Sequence, residues 1–245
     1  MPTHSPTHRR GSTIENIVYT LTGLAILVFL VMMLMPSVGQ SRGSARRSSC
    51  RNNLKAIMMA VHNYHDTYGA MPPAFTVDAD GKKLHSWRVL LLPFLDQKVL
   101  YSKIDLTKPW DDPVNDFARQ QSLSVYRCPA NPAPSNHTTY LAIVGDNYAF
   151  SPDGVPRKFS DIRDGLSNTV IMMEVNDKQT VEWMSPVDTD DTLFLSFGPK
   201  TPKSHRGVIM TGFGDGGIQA LSENLPTVTR QALMTINGGE TVKDF

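Results

Sequence analysis

Hydrophobic and polar positions divide this chain into regions with different periods. From Asn16 to Gln40 no side chain is charged, and Ile17 to Met35 is almost wholly apolar. A run of that length crosses a hydrocarbon core of about 30 Å as a helix. Its Leu, Ile, Val and Phe residues together favour insertion by roughly 3–7 kcal/mol, whereas one central charge would cost about 3 kcal/mol, so the lack of charge decides the reading. Pro36 should then kink or interrupt the helix, because its ring removes a backbone donor and crowds the preceding turn. Beyond it Leu54, Ile57, Met58, Val61 and His65 recur at spacings of three and four. That is the stripe of an amphipathic helix, predicted to stop near Gly69 and Met71-Pro72-Pro73.

The following stretch, Ser86 to Tyr101, keeps a helical stripe in Trp87, Leu90, Leu91, Phe94 and Leu95 but contains Pro93, which predicts a short helix that is bent or broken. Pro109-Trp110-Asp111-Asp112-Pro113 reads as a rigid turn. From there the period shortens. Ser124–Arg127, Thr138–Val144, Thr169–Glu174, Thr180–Trp183 and a Val208–Leu221 hairpin are β-branched or alternating, separated by Gly and Asp turns, and are expected to be strands. A last short helix fits Pro226–Thr235, ended by Gly238-Gly239. An antiparallel sheet covered by the N-terminal helix makes an α+β domain.

Composition adds limits more than assignments. The 23 acidic and 24 basic residues nearly cancel, so no nucleic-acid partner is expected. The local run Arg42, Arg46, Arg47, Arg51 and Lys55 fits a membrane flank or a solvated helix face. The apolar segment has Arg9 and Arg10 before it, as a secretory signal would, but it is longer than a signal's apolar core and lacks an A-x-A site, so retention as an anchor in contact with lipid through Ile17 to Met35 is expected. More Lys and Arg follow the segment than precede it, and counted alone that would place the domain inside. Cys50 and Cys128 are far apart and neither lies in a C-x-x-C pair. A disulfide, stabilising by roughly 4–5 kcal/mol in the chain-entropy treatment, is one reading; two buried free thiols are the other.

Several separated strings resemble a large bacterial group of pilin-like proteins of unknown function that end in an H-x(9)-DG signature. They are Arg46-Arg47-Ser48-Ser49-Cys50-Arg51-Asn52-Asn53-Leu54-Lys55, His62-Asn63-Tyr64-His65-Asp66-Thr67-Tyr68-Gly69, Ser86-Trp87-Arg88-Val89-Leu90-Leu91-Leu92-Pro93, Tyr126-Arg127-Cys128-Pro129 and Asp161-Ile162-Arg163-Asp164-Gly165-Leu166-Ser167-Asn168-Thr169. The signature itself is His205, nine residues, then Asp215-Gly216, followed by Thr235 and Gly238-Gly239-Glu240. The resemblance implies a type IV pilin-like fold: a long N-terminal helix, transmembrane in its first half, laid on an antiparallel sheet. It also implies a single pass through the cytoplasmic membrane. On that reading residues 1–13 are cytoplasmic, 14–36 cross the membrane and 37–70 form a helical stalk packed on the domain. Residues 71–245 form the extracytoplasmic α+β body. Such relatives usually begin with G-F-T-L-I-E, a peptidase and assembly motif. This chain departs from it: Gly11-Ser12-Thr13-Ile14-Glu15 replaces Phe with Ser and brings Glu15 one residue closer to Gly11. Processing at Gly11 and polymerisation through Glu15 are both weakened by that change. Other pilin-like subunits are the implied partners, and the resemblance supplies no enzymatic activity.

Each cluster of reactive residues has a plainer explanation beside the chemical one. His62 and His65, with Asp66 adjacent, have a spacing compatible with one metal, but they lack a third ligand and fit a helix face packed on the sheet. Asp164-Gly165 and Asp215-Gly216 offer carboxylates of the kind that cleave glycosides, yet Asp-Gly is also a favoured hairpin turn. Ser167 has no G-x-S-x-G elbow and no identifiable partner His, and reads as part of a turn. Loop carboxylates suit calcium, but no EF-hand pattern is present. The expectation is therefore a structural or assembly protein without a cofactor or catalytic residues, with a surface-tethered solute- or glycan-binding module as the alternative and a hydrolase after that.

Overall fold

The computed structural model describes residues 11–240 and 242, the side chains of 11–13 and 34–41 excepted. The chain divides into two compact units, Met1–Ala45 and Arg46–Phe245. Helix α1, Gly11–Tyr68, belongs to both. It is continuous through Pro36, where the sequence predicts an interruption; a proline removes one backbone hydrogen bond, and a helix continues past it when the turns on either side hold. In the first unit Ile14–Met33 has a mean hydropathy of 2.1 over 20 residues and none of it is buried. Two of its polar side chains are internally satisfied. Thr20 Oγ1 donates to the Asn16 carbonyl at 2.9 Å and Thr22 Oγ1 to that of Val18 at 2.9 Å, the way hydroxyls are accommodated where no water competes.

In the second unit α1 is core. Cys50, Leu54, Ile57, Met58 and Val61 are fully buried, and the helix ends as the sequence predicts, with Gly69 at φ +76° and its N–H on the His65 carbonyl. Glycine takes that left-handed position without a Cβ penalty. The division between units falls inside the stretch expected to form a stalk, because from Cys50 onward the stripe already belongs to the interior.

Strands β1 (Phe75–Val77) and β2 (Lys83–Ser86) form an antiparallel ribbon that the alternation did not reveal, both being short. After it, α2 (Trp87–Leu90), a 3₁₀ turn at Leu92–Phe94 and α3 (Lys98–Tyr101) are the broken helix that Pro93 predicts. Helix α4 (Asp116–Arg119) follows. Ser124–Tyr126 is a 3₁₀ turn rather than the expected strand. A side chain helps to hold the segment: Asn53 Nδ2 donates to Ser124 O at 3.0 Å and Arg127 O at 2.8 Å, while the Thr139 N–H donates to Tyr126 O at 2.9 Å.

The expected strand at 138–144 splits at Thr139 into β3 (His137–Thr138), which pairs with β6 (Val181–Glu182), and β4 (Tyr140–Ala142). β4 begins the main sheet, antiparallel in the order β4-β5-β7-β8 among the described residues, with β5 at Val170–Glu174, β7 at Val208–Phe213 and β8 at Ile218–Ser222. Both faces are covered. Tyr140, Ala142, Met172, Met210 and Ile218 share a cluster with the α1 stripe. Leu141, Met173, Ile209, Phe213 and Leu221 pack with Phe194 of α5 (Asp191–Ser196) and with Leu233 and Met234 just after α6 (Thr227–Ala232). A strand covered on both sides reads as a continuous apolar run, which is how Val170-Ile171-Met172-Met173 appears.

Two polar devices hold the loops. Arg88 is fully buried, with Nη1 2.7 Å from Asp188 Oδ1. Its Nε donates to Trp183 O at 3.0 Å, and Nη2 donates to Ser185 O at 3.1 Å and Val187 O at 2.8 Å. Asp188 also accepts from Trp87 Nε1 at 3.0 Å and from the Ala142 N–H at 2.8 Å. Burial raises the Asp188 pKa and the Arg88 charge opposes that rise. The second device is Asp164, whose carboxylate accepts from the N–H groups of Gly238 at 2.7 Å and Gly239 at 2.9 Å and from Thr235 Oγ1 at 3.2 Å. It therefore acts as a clamp on the C-terminal segment.

Replacing Asp188 by Asn leaves the Arg88 guanidinium buried opposite a neutral group, and the expected cost is about 3–5 kcal/mol, a fall in melting temperature of roughly 6–20 °C by thermal denaturation. A loss below about 1 kcal/mol would contradict the role given to the pair. Asp164→Ala removes three hydrogen bonds from the 235–239 segment. Amide exchange at Gly238 and Gly239 should accelerate about 10- to 100-fold while β5 and β7 keep their protection.

Candidate functional site: a buried cluster of two cysteines, a glutamate and a histidine

Cys50, Cys128, Glu174 and His205 come from four separated segments, and one donor atom from each lies within 4.8 Å of all the others. Each position follows from a local cause. Cys50 is the first residue of the buried α1 stripe. Cys128 follows the 3₁₀ turn anchored by Tyr126, whose hydroxyl donates to Arg88 O at 2.7 Å, and the Cys128 N–H donates to Thr139 Oγ1 at 2.7 Å. Glu174 ends β5 directly opposite Tyr140. Tyr140 in turn donates its hydroxyl to Cys50 Sγ at 3.2 Å. His205 leads into β7, where it bridges Val208. Next to it, Asn131 Nδ2 donates to Ser204 Oγ at 3.3 Å and to Val175 O at 3.0 Å, joining the Cys128 loop to this segment.

The distances converge on one point. His205 Nε2 is 3.4 Å from Cys128 Sγ and 3.6 Å from Glu174 Oε2. A nucleophilic triad is built differently: the thiol or hydroxyl faces one imidazole nitrogen and the carboxylate holds the other. Here both groups face Nε2, and none of the four residues is more than 5% exposed. Glu174 Oε1 is buried without a hydrogen-bond partner, which is costly for a carboxylate.

Proton affinities in the cluster diverge. Cys128 is pushed down to about 4, first by a hydrogen bond from the Cys50 thiol and then by His205. Cys50 is pushed up by that same bond and by burial. The two shifts arise from one shared hydrogen bond, so the titration belongs to the pair. Glu174 is raised well above the usual carboxylate range by burial and by the neighbouring Cys128 charge. Two thiols, an imidazole and a carboxylate are also the donor types that hold zinc and related ions.

The residues singled out in the sequence fall into different places. Cys50 and Cys128 meet as two buried free thiols, the second of the two readings the sequence allows, and stand in a four-residue cluster. His205 joins them, while Asp215 and Gly216 of the same signature do not. Gly214-Asp215-Gly216 is the three-residue loop between β7 and β8. Asp215 Oδ1 accepts from the Gly217 N–H at 2.7 Å and Gly216 sits at φ +81°, a type I turn closed by a left-handed glycine. Asp215 is thus occupied by its own turn. Lys55 Nζ donates to Gly216 O at 2.9 Å, fastening the loop to α1.

His62 and His65 stack on Phe159, with ring centroids at 4.5 and 4.4 Å. Asp66 is exposed, its Oδ1 3.8 Å from His65 Nδ1. Among the described residues these three form no ligand group. Gly11 begins α1, and Glu15 is exposed along it. Sequence reasoning missed Glu174; its signal was a charged residue closing an apolar strand, Val170-Ile171-Met172-Met173-Glu174.

Residues 39–195 match a family described as a protein of unknown function, DUF1559. Neither curated proteins nor solved structures give a match. The matched stretch covers more than half of the 245 residues and contains Cys50, Cys128 and Glu174, but it ends before His205. The chain belongs to this DUF1559 family of proteins of unknown function.

Proposed function

We propose that this protein is a non-catalytic, single-pass, pilin-like membrane protein that presents its α+β body outside the cytoplasmic membrane and contributes to a surface or secretion-related assembly. The observation that carries this reading is the double use of α1. Ile14–Met33 presents an unburied apolar surface long enough to cross a bilayer, while Cys50–Val61 of the same helix is interior to the body. An apolar surface of that extent is stable only against lipid or other apolar helices.

Two measurements test the reading. Protease added to intact cells should degrade the body, and the mass of the protected N-terminal fragment should include Ile14–Met33. A body that resists protease until the membrane is opened, or that is released in soluble form without the span, contradicts it. A single cysteine introduced by Val28→Cys should crosslink the chain to itself or to another membrane helix under mild oxidation. A chain that stays uncrosslinked across the span positions argues against assembly through α1.

A further inference from the structure

We propose that Cys50, Cys128, Glu174 and His205 form a closed structural zinc site that joins α1 to the sheet. The donor set is two sulfurs, one imidazole nitrogen and one carboxylate oxygen, all within 4.8 Å of one another. Tetrahedral zinc, with bonds of about 2.3 Å to sulfur and 2.0–2.2 Å to nitrogen or oxygen, holds its donors about 3.4–3.8 Å apart. The measured separations of His205 Nε2, 3.4 Å to Cys128 Sγ and 3.6 Å to Glu174 Oε2, fall in that range. At 3.6 Å the histidine and glutamate are beyond hydrogen-bond reach, as two ligands of one ion would be.

Glu174 supplies an independent observation. It is 4% exposed, and its Oε1 has no hydrogen-bond partner. A buried carboxyl with an unpartnered oxygen is settled either by keeping its proton or by a bound cation, and a cation also accounts for the two sulfurs and the imidazole that face it. The alternative covalent arrangement, a Cys50–Cys128 disulfide, would leave both Glu174 and His205 without a reason to face this point. Four buried protein donors leave no position for water or substrate, so the site is of the structural type. Outer partners of the kind that orient ligands are present as well: the Tyr140 hydroxyl on Cys50 Sγ at 3.2 Å and Thr139 Oγ1 on the Cys128 N–H at 2.7 Å. A shallow cleft lined by Ser49, Asn53, Arg127 and Pro129 reaches Cys128 and offers the ion a route in. On binding, each sulfur enters as thiolate and any thiol proton passes to solvent.

The experiment uses the full chain in detergent, reduced and free of chelator. Elemental analysis should find about one zinc per chain, and replacing it with cobalt should give the sulfur-to-cobalt charge-transfer band and strong visible absorption of a tetrahedral thiolate centre. His205→Ala and Glu174→Gln should each weaken cobalt binding at least about 10-fold, and Cys128→Ser should remove the charge-transfer band's second sulfur contribution, halving its intensity. Because variants of buried residues can fail to fold, the wild-type chain provides the deciding reading. A well-folded, reduced wild-type chain that takes up no stoichiometric zinc or cobalt, or whose cobalt spectrum is octahedral, overturns the proposal. So does recovery of Cys50 and Cys128 as one disulfide-linked peptide from chain isolated without reductant.

Discussion

The arrangement of the body depends on the burial of one helical stripe against one face of a sheet. Cys50, Leu54, Ile57, Met58 and Val61 pack on Tyr140, Ala142, Met172, Met210 and Ile218. Each fully buried aliphatic side chain stabilises by about 1.5–3 kcal/mol, so this seam is among the larger favourable terms in the body. It also imposes constraints on its surroundings. Once α1 occupies that face, β5 is closed off from water, the second apolar face must find its own cover in α5 and the α6 region, and every polar group near the seam needs a partner.

The buried polar groups answer that last requirement in different ways. Arg88 is matched to Asp188 and four carbonyls, a satisfied network that specifies one arrangement of the 181–189 segment around α2. Asp164 is matched to the C-terminal glycines. The cluster at Cys50, Cys128, Glu174 and His205 stands apart because it leaves a buried carboxyl oxygen, Glu174 Oε1, without a hydrogen-bond partner. That difference separates a structural ion pair from a ligand set, and it gives the family resemblance a physical content that the motifs alone did not carry.

Much of the architecture was legible because it rests on periodicity. The apolar run, the 54–65 stripe, the break at Pro93, the β7–β8 hairpin and the closing turns at Gly69 and Gly216 are all local consequences of residue type. Ser124–Tyr126 was misread for the complementary reason: its β-branched and aromatic composition is compatible with a strand, but the Ser124 carbonyl is claimed by Asn53, seventy-one residues away. The short β1–β2 ribbon has too few residues for alternation to register.

By itself the sequence determined an apolar span free of charge, an amphipathic helix after it and an α+β body behind that, since hydrophobic period and proline placement act over a few residues. It also marked Cys50, Cys128 and His205 as unusual, but left the cysteines between a disulfide and two buried thiols and placed the histidine in a signature with Asp215. Only the tertiary structure decided that His205 leaves Asp215 to its own turn and turns toward the two sulfurs and Glu174. That grouping depends on the register that sets Glu174 opposite Tyr140 and on the seam that buries Cys50. Both are long-range packing outcomes, and no local spacing encodes them.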